Sequence, residues 1–139
     1  IYEFSNDGLS NGDRARCSGY YTFMPSAGDE DSWQFASSCY FNNIFFYASG
    51  NKIYRWYYNT ATSFPTEPWR TLDDLEGAEI TSLAVSPDNQ QLYVGVYQPQ
   101  ASGLNGSFYL LNCNTGKNEG DSPYLNVAYK PLKVVYKPR

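Results

Sequence analysis

Residues 33–60 read WQFASSCYFNNIFFYASGNKIYRWYYNT, and residues 79–98 read EITSLAVSPDNQQLYVGVYQ. Both stretches are successions of short apolar runs rich in aromatic and β-branched residues, which suit a pleated surface. Asn42-Asn43, Gly50-Asn51 and Pro87-Asp88-Asn89 stand between the runs as turn punctuation. The pattern predicts strands over 33–40, 41–49, 52–60, 79–86 and 91–98. Large side chains occupy both faces of these strands. Tyr54, Trp56 and Tyr58 fall on one face, and Arg55 and Tyr57 on the other. A strand that is apolar on both sides needs cover on both sides.

The flanks continue the theme. Residues 61–79 hold Pro65, Pro68 and several acids, with a short strand expected near Trp69 to Leu72. LDDLEGAEI (72–80) has helical composition, but it is short and interrupted by Gly77. A loop with Pro99, Gly103 and Gly106 leads into SFYLLNCNTGK (107–117), then YLNVAYK (124–130) and LKVVYK (132–137), split by Pro131. Upstream, CSGYYTFM (17–24) is strand-like, and PSAGDED (25–31) is an acidic turn. Residues 1–16, rich in Ser, Asn, Asp, Gly and Arg, read as a loop-rich entry segment.

An internal repeat organises these strands. Ile44-Phe45-Phe46 matches Leu92-Tyr93-Val94, a step of 48 residues from Ile44 to Leu92. Ile53-Tyr54 and Asn59-Thr60 match Phe108-Tyr109 and Asn114-Thr115, a step of 55 from Thr60 to Thr115. The step grows because the second unit has a longer loop at 98–106. The unit is strand, turn, strand, turn, strand, loop, strand. Four strands at a period of about 40–50 residues is the signature of a β-propeller blade. The expected fold is therefore all-β and propeller-like, with about two four-stranded antiparallel blades. One blade spans about 33–72, the next about 79–130, with a closing strand at 132–137, all within a partial propeller over 17–139. Two blades alone leave apolar faces and strand edges exposed. The chain, which begins at Ile1 and has Met24 as its one methionine, is expected to be a fragment. The remainder of its own polypeptide, or another copy, would complete the ring.

The same residues carry a family resemblance. WQFASSCYFNNIFFYASGNKIYRWYYNT, EITSLAVSPDNQQLYVGVYQ and NGSFYLLNCNTGK, with the closing LNVAYKPLKVVYK, resemble the C-terminal repeat region of PKD-like family lipoproteins of the Bacteroidetes over roughly residues 20–137. The phrase SPDNQQLYV is also similar to the turn of propeller repeats of the YVTN type. The resemblance implies an exported protein, lipid-anchored at the periplasm or outer-membrane surface through an upstream cysteine. It implies no defined chemistry.

Composition removes several functions. The formal net charge is −4 and the ten basic residues are scattered, which argues against a nucleic-acid partner. The chain has no His. That excludes His-activated nucleophiles and His-ligated metals. Cys17, Cys39 and Cys113 are widely spaced, unlike zinc or redox motifs, and read as small buried residues. There is no apolar run long enough for a transmembrane helix. Asp29-Glu30-Asp31 and Asp73-Asp74-Glu76 lack calcium-loop spacing and read as solvated turns. Asp88 reads as a turn residue. Gly103-x-x-Gly106 lacks the Lys and the strand-to-helix setting of a phosphate loop, and Asn105-Gly106-Ser107 is a short acceptor pattern of no consequence in the host class implied. Carboxylates are plentiful, but no spacing selects a glycosidase pair.

What remains is aromatic. Trp33, Trp56 and Trp69 are the candidate ligand-binding residues, as stacking surfaces for a sugar ring or peptide, although packing between blades competes for each of them. No catalytic residue, cofactor or metal is expected. The function read from the sequence is a non-catalytic binding or scaffolding module, its ligand a glycan, peptide or envelope protein. The alternatives are a propeller hydrolase or lyase whose active-site residues lie mostly in missing blades, and a purely structural support domain.

Overall fold

The computed structural model describes residues 44–57, 65–75 and 77–131 in full, and three further strands by their backbone. The order is β1 (Tyr2–Ser5), β2 (Arg16–Tyr20), β3 (Ser38–Phe41), β4 (Ile44–Ser49), β5 (Lys52–Tyr57), β6 (Arg70–Thr71), β7 (Glu79–Val85), β8 (Gln91–Tyr97), β9 (Gly106–Asn112) and β10 (Tyr124–Ala128). The described residues contain no helix. β1 and β2 form a two-stranded antiparallel sheet. β3-β4-β5-β6 and β7-β8-β9-β10 form two four-stranded antiparallel sheets, each a meander in chain order.

Local chemistry sets these boundaries. Gly50, at φ 55, takes the first central position of the two-residue turn between β4 and β5, closed by the Ser49↔Lys52 pair. That position favours Gly because φ is positive there. At the β7–β8 turn, Asp88 accepts hydrogen bonds from the Ser86 hydroxyl (2.5 Å) and the Gln90 amide (3.1 Å), while Asn89 adopts φ 61. These bonds hold the Asp88 carboxyl below its ordinary range, the Ser86 hydroxyl contributing most.

Some expectations change. The entry segment 1–16 contributes β1, because Tyr2-Glu3-Phe4 alternates well enough to pair with β2. Residues 73–75 and Gly77, at φ 63, lie in turns and bends that lead into β7 at Glu79, and Glu76 lies outside the described residues. Of the strand expected at 33–40, residues 38–40 lie in β3, and 33–37 lie outside the described residues. The closing strand 132–137, the turn Asn42-Asn43 and the acidic segment 25–31 lie outside the described residues.

The core lies between the two large sheets. Phe46, Ala48 and Ile53 of the first sheet meet Ile80, Leu83, Leu92, Val94, Val96, Tyr109 and Leu111 of the second, with Leu72 and Leu75 from the connection. Ile53, Leu72, Leu92, Val94, Val96, Tyr109 and Leu111 are all at 0% exposure. Each such aliphatic side chain contributes about 1.5–3 kcal/mol by leaving water. β7 runs alongside β3 and β4. It begins at the Gly50 end, where the Ile80 amide donates to the Gly50 carbonyl at 2.8 Å. β3 begins at that end too, since Ser38 pairs with Tyr47. The two sheets therefore stack with the same strand direction and the same lateral order.

That stacking corrects the repeat alignment. Tyr47 pairs with Tyr54 in the first sheet, and Val94 pairs with Tyr109 in the second. With Tyr54 equivalent to Tyr109, Tyr47 must correspond to Val94, a step of 47 and not 48. One residue reverses every side chain in a strand. The true equivalents of the core-facing Phe46, Ala48, Ile53 and Arg55 are Tyr93, Gly95, Phe108 and Leu110. These four lie on the face of the second sheet turned away from the first. The likeness of Ile44-Phe45-Phe46 to Leu92-Tyr93-Val94 is one of composition.

Candidate functional site

Of the three tryptophans, two are described, and they occupy opposite faces of the first sheet. Trp56 sits opposite Phe45 and on the same face as Tyr54, which stacks on Tyr47 with centroids 4.9 Å apart and planes 4° from parallel. Trp56 is 3% exposed. Such burial suits a packing residue and leaves no ring face for a ligand. Trp69, just before β6, turns to the other side. It meets Phe46 edge-on at 5.3 Å, and the Arg55 guanidinium lies over its ring at 5.0 Å. The ring also backs onto Gly116, where a Cβ would come within 3.4 Å of it. Trp69 is thus wedged, half-buried, where the two sheets join. Trp33 lies outside the described residues. The structure does not bring Trp56 and Trp69 together.

Arg55 is the polar centre of this junction. Its Nη1 donates to the carbonyls of Cys113 (2.8 Å) and Asn114 (3.1 Å) beyond β9, and the guanidinium also stacks on Tyr57 at 5.1 Å. At the other end, the Tyr109 hydroxyl donates to Asp74 Oδ2 at 3.0 Å. Both contacts tie one sheet to the other or to the connecting turns.

The second sheet presents a different surface on its far face, which individual residue types did not single out. Tyr93, Phe108 and Tyr124 form a ladder of tilted rings, with centroids 5.9 Å and 6.1 Å apart. Leu110 is half-buried beside Tyr93, Tyr124 is 40% exposed, and Lys130 Nζ sits 4.6 Å over the Tyr97 ring. The edge strand β10 also exposes Leu125 and Val127. One end of this face is polar. Gln91 Nε2 and Asn112 Nδ2 donate to the two oxygens of Glu119 at 2.9 Å and 2.6 Å, and the Tyr93 hydroxyl donates to Gln91 Oε1 at 3.1 Å. The signal for this face was present in QLYVGVYQ and SFYLLN, where Tyr93, Tyr97, Phe108 and Leu110 alternate with Leu92, Val94, Val96, Tyr109 and Leu111.

Three of the described carboxylates are engaged structurally. Asp74 accepts from Tyr109, Asp88 from Ser86 and Gln90, and Glu119 from Gln91 and Asn112. Burial pushes the Cys113 thiol up to about 11, so it stays protonated and weakly nucleophilic near neutrality. Burial also raises the Tyr47 and Tyr109 phenols. Among the described residues no group of His, Cys, Asp and Glu is placed to hold a metal, and no helix is long and apolar enough to cross a membrane. What the far face offers is aromatic and aliphatic contact area rimmed by amides and a carboxylate, the composition of a contact surface. Neither the protein-family models, nor the curated proteins, nor the solved structures yield a match to this chain.

Proposed function

We propose that the chain is a propeller-like, repeat-built binding or scaffolding module of an exported cell-envelope lipoprotein. The observation that supports this reading is the tandem stacking of two four-stranded meanders in the same strand order, β3-β4-β5-β6 on β7-β8-β9-β10. Successive units of that kind bury their faces on each other, as propeller blades do. The lipoprotein setting rests on the sequence resemblance. The partner is a glycan, a peptide or an envelope protein, bound and not transformed. Asp74, Asp88 and Glu119 are held in hydrogen bonds and the Cys113 thiol is unactivated, which supports a binding role for these residues over a catalytic one.

Two measurements test the reading on the complete gene product. Palmitate labelling with cell fractionation should place it, acylated, in the envelope; an unacylated product in the cytosolic fraction overturns the setting. Arrays of polysaccharides and envelope peptides should return a saturable ligand without turnover. Hydrolysis of a chromogenic glycoside or lactone would move the protein to the enzymes.

A further inference from the structure

The corrected register carries an inference about the far face of the second sheet. The two sheets are packed head to tail. The first presents Phe46, Ala48, Ile53 and Arg55, and the second answers with Leu92, Val94, Tyr109 and Leu111. Under the 47- and 55-residue steps, the answering residues correspond to Phe45, Tyr47, Tyr54 and Trp56 on the opposite face of the first sheet. The contact is heterologous: each unit offers one face forward and a different face backward. Such contacts repeat, either closing a ring or continuing as an open array.

The forward face of the second sheet is its far face. Tyr93, Gly95, Phe108 and Leu110 stand where Phe46, Ala48, Ile53 and Arg55 stand in the first. The correspondence extends to size, with Gly95 small where Ala48 is small. Yet Ala48 and Ile53 are 1% and 0% exposed under the second sheet, while Phe108 and Leu110 are half-buried and Tyr124 beside them is 40% exposed.

We infer that this face docks a third four-stranded unit of the same repeat, carried by the same polypeptide, which lays an aliphatic face like that of Leu92, Val94 and Leu111 across Phe108, Leu110 and Tyr124. A second copy of this chain is the poorer occupant. The face it would have to offer carries Tyr47, Tyr54 and Trp56, which are 1%, 6% and 3% exposed and already buried within the chain. The inference rests on the repeat-unit reading proposed above and adds which face is taken and by what.

Hydroxyl-radical footprinting read by mass spectrometry tests it on the polypeptide encoded by the complete gene and on the 139-residue chain. Phe108, Leu110 and Tyr124 should be labelled several-fold less in the complete polypeptide. Leu110→Arg in the complete polypeptide should restore labelling of Tyr124 while Leu92 and Val94 stay protected, which shows that the two described sheets remain folded. Equal labelling in both forms, in a polypeptide that has further four-stranded units, overturns the docking and leaves the repeat reading intact. A complete polypeptide without a further unit overturns both. Protection already present in the dilute 139-residue chain, or appearing there only at high concentration, also overturns it, the latter in favour of a second copy.

Discussion

Arg55 Nη1 lies 2.8 Å from the carbonyl oxygen of Cys113, and this bond joins a strand of one sheet to the end of a strand in the other. The same guanidinium covers Trp69 at 5.0 Å. Charged hydrogen bonds contribute about 1.5–3 kcal/mol and cation–π contacts about 0.5–1 kcal/mol where partly exposed. Arg55→Met should therefore lower unfolding free energy by about 2–3 kcal/mol, measured by urea denaturation. Arg55→Lys should recover little, because an ammonium lacks the planar fork that serves two carbonyls and a ring together. Full recovery by Lys would show that charge alone matters.

Gly116 and Gly106 fail differently when a methyl is added. Gly116 has φ 71 and its Cβ would lie 3.4 Å from the Trp69 ring. Gly116→Ala should cost about 1–2 kcal/mol from left-handed backbone, read as a lower urea midpoint. At Gly106 a Cβ would meet the Tyr129 carbonyl at 2.5 Å and the Ala128 carbonyl at 2.9 Å. Gly106→Ala should detach the end of β10 first, so amide exchange at 126–128 accelerates while that of β8 does not.

The Tyr109 hydroxyl and Asp74 form one hydrogen bond, 3.0 Å long, between the core and an exposed turn. Tyr109→Phe should cost about 1 kcal/mol, since Asp74 can turn to water. Leu111→Ala, at a site with 0% exposure, should cost about 2–5 kcal/mol by leaving a cavity. A double-mutant cycle of Tyr109→Phe with Asp74→Ala should show coupling comparable to the single loss. Simple additivity would mean that the bond contributes nothing.

Stability should fall at both pH extremes, for opposite reasons. Asp88 is held below its ordinary range in the fold. Its contribution is present above the unfolded carboxylate pKa of about 3.9 and is lost as pH falls through the lower folded value. Asp88→Asn should flatten the acid limb of urea midpoint against pH. Cys113 is raised to about 11. Its contribution is full below the unfolded thiol pKa of about 8.5 and declines as pH rises toward 11. In a variant with Cys17→Ser and Cys39→Ser, Ellman's reagent at pH about 8 should react with Cys113 only after urea is added. Immediate reaction in native buffer would contradict its burial.

Strand existence was legible in the residues themselves. β7 and β8 fall within a residue of the runs EITSLAVS and QLYVGVYQ, and β9 starts a residue before SFYLLNCNTGK and stops at Asn112, because β-branched and aromatic composition and the Pro87-Asp88-Asn89 turn act locally. The hairpin at Gly50 was legible for the same reason. The candidate site was less so. Trp56 and Trp69 stand out in the sequence as large aromatics near strands, but a ring's role depends on which face it joins and what covers that face. The ring ladder of Tyr93, Phe108 and Tyr124 comes from three strands and exists only through their pairing.

By itself the sequence determined an all-β chain with four-strand units in tandem, since period, turn chemistry and the absence of long amphipathic runs are local properties. Tertiary structure alone decided the register of the repeat. Phe46 and Val94 look equivalent in sequence, yet the hairpin pairs and the common direction of β3 and β7 place them on opposite faces of their sheets. In a strand apolar on both sides, hydrophobicity cannot say which side is inward. Only the backbone bonds between strands, and the sheet packed against them, make that choice.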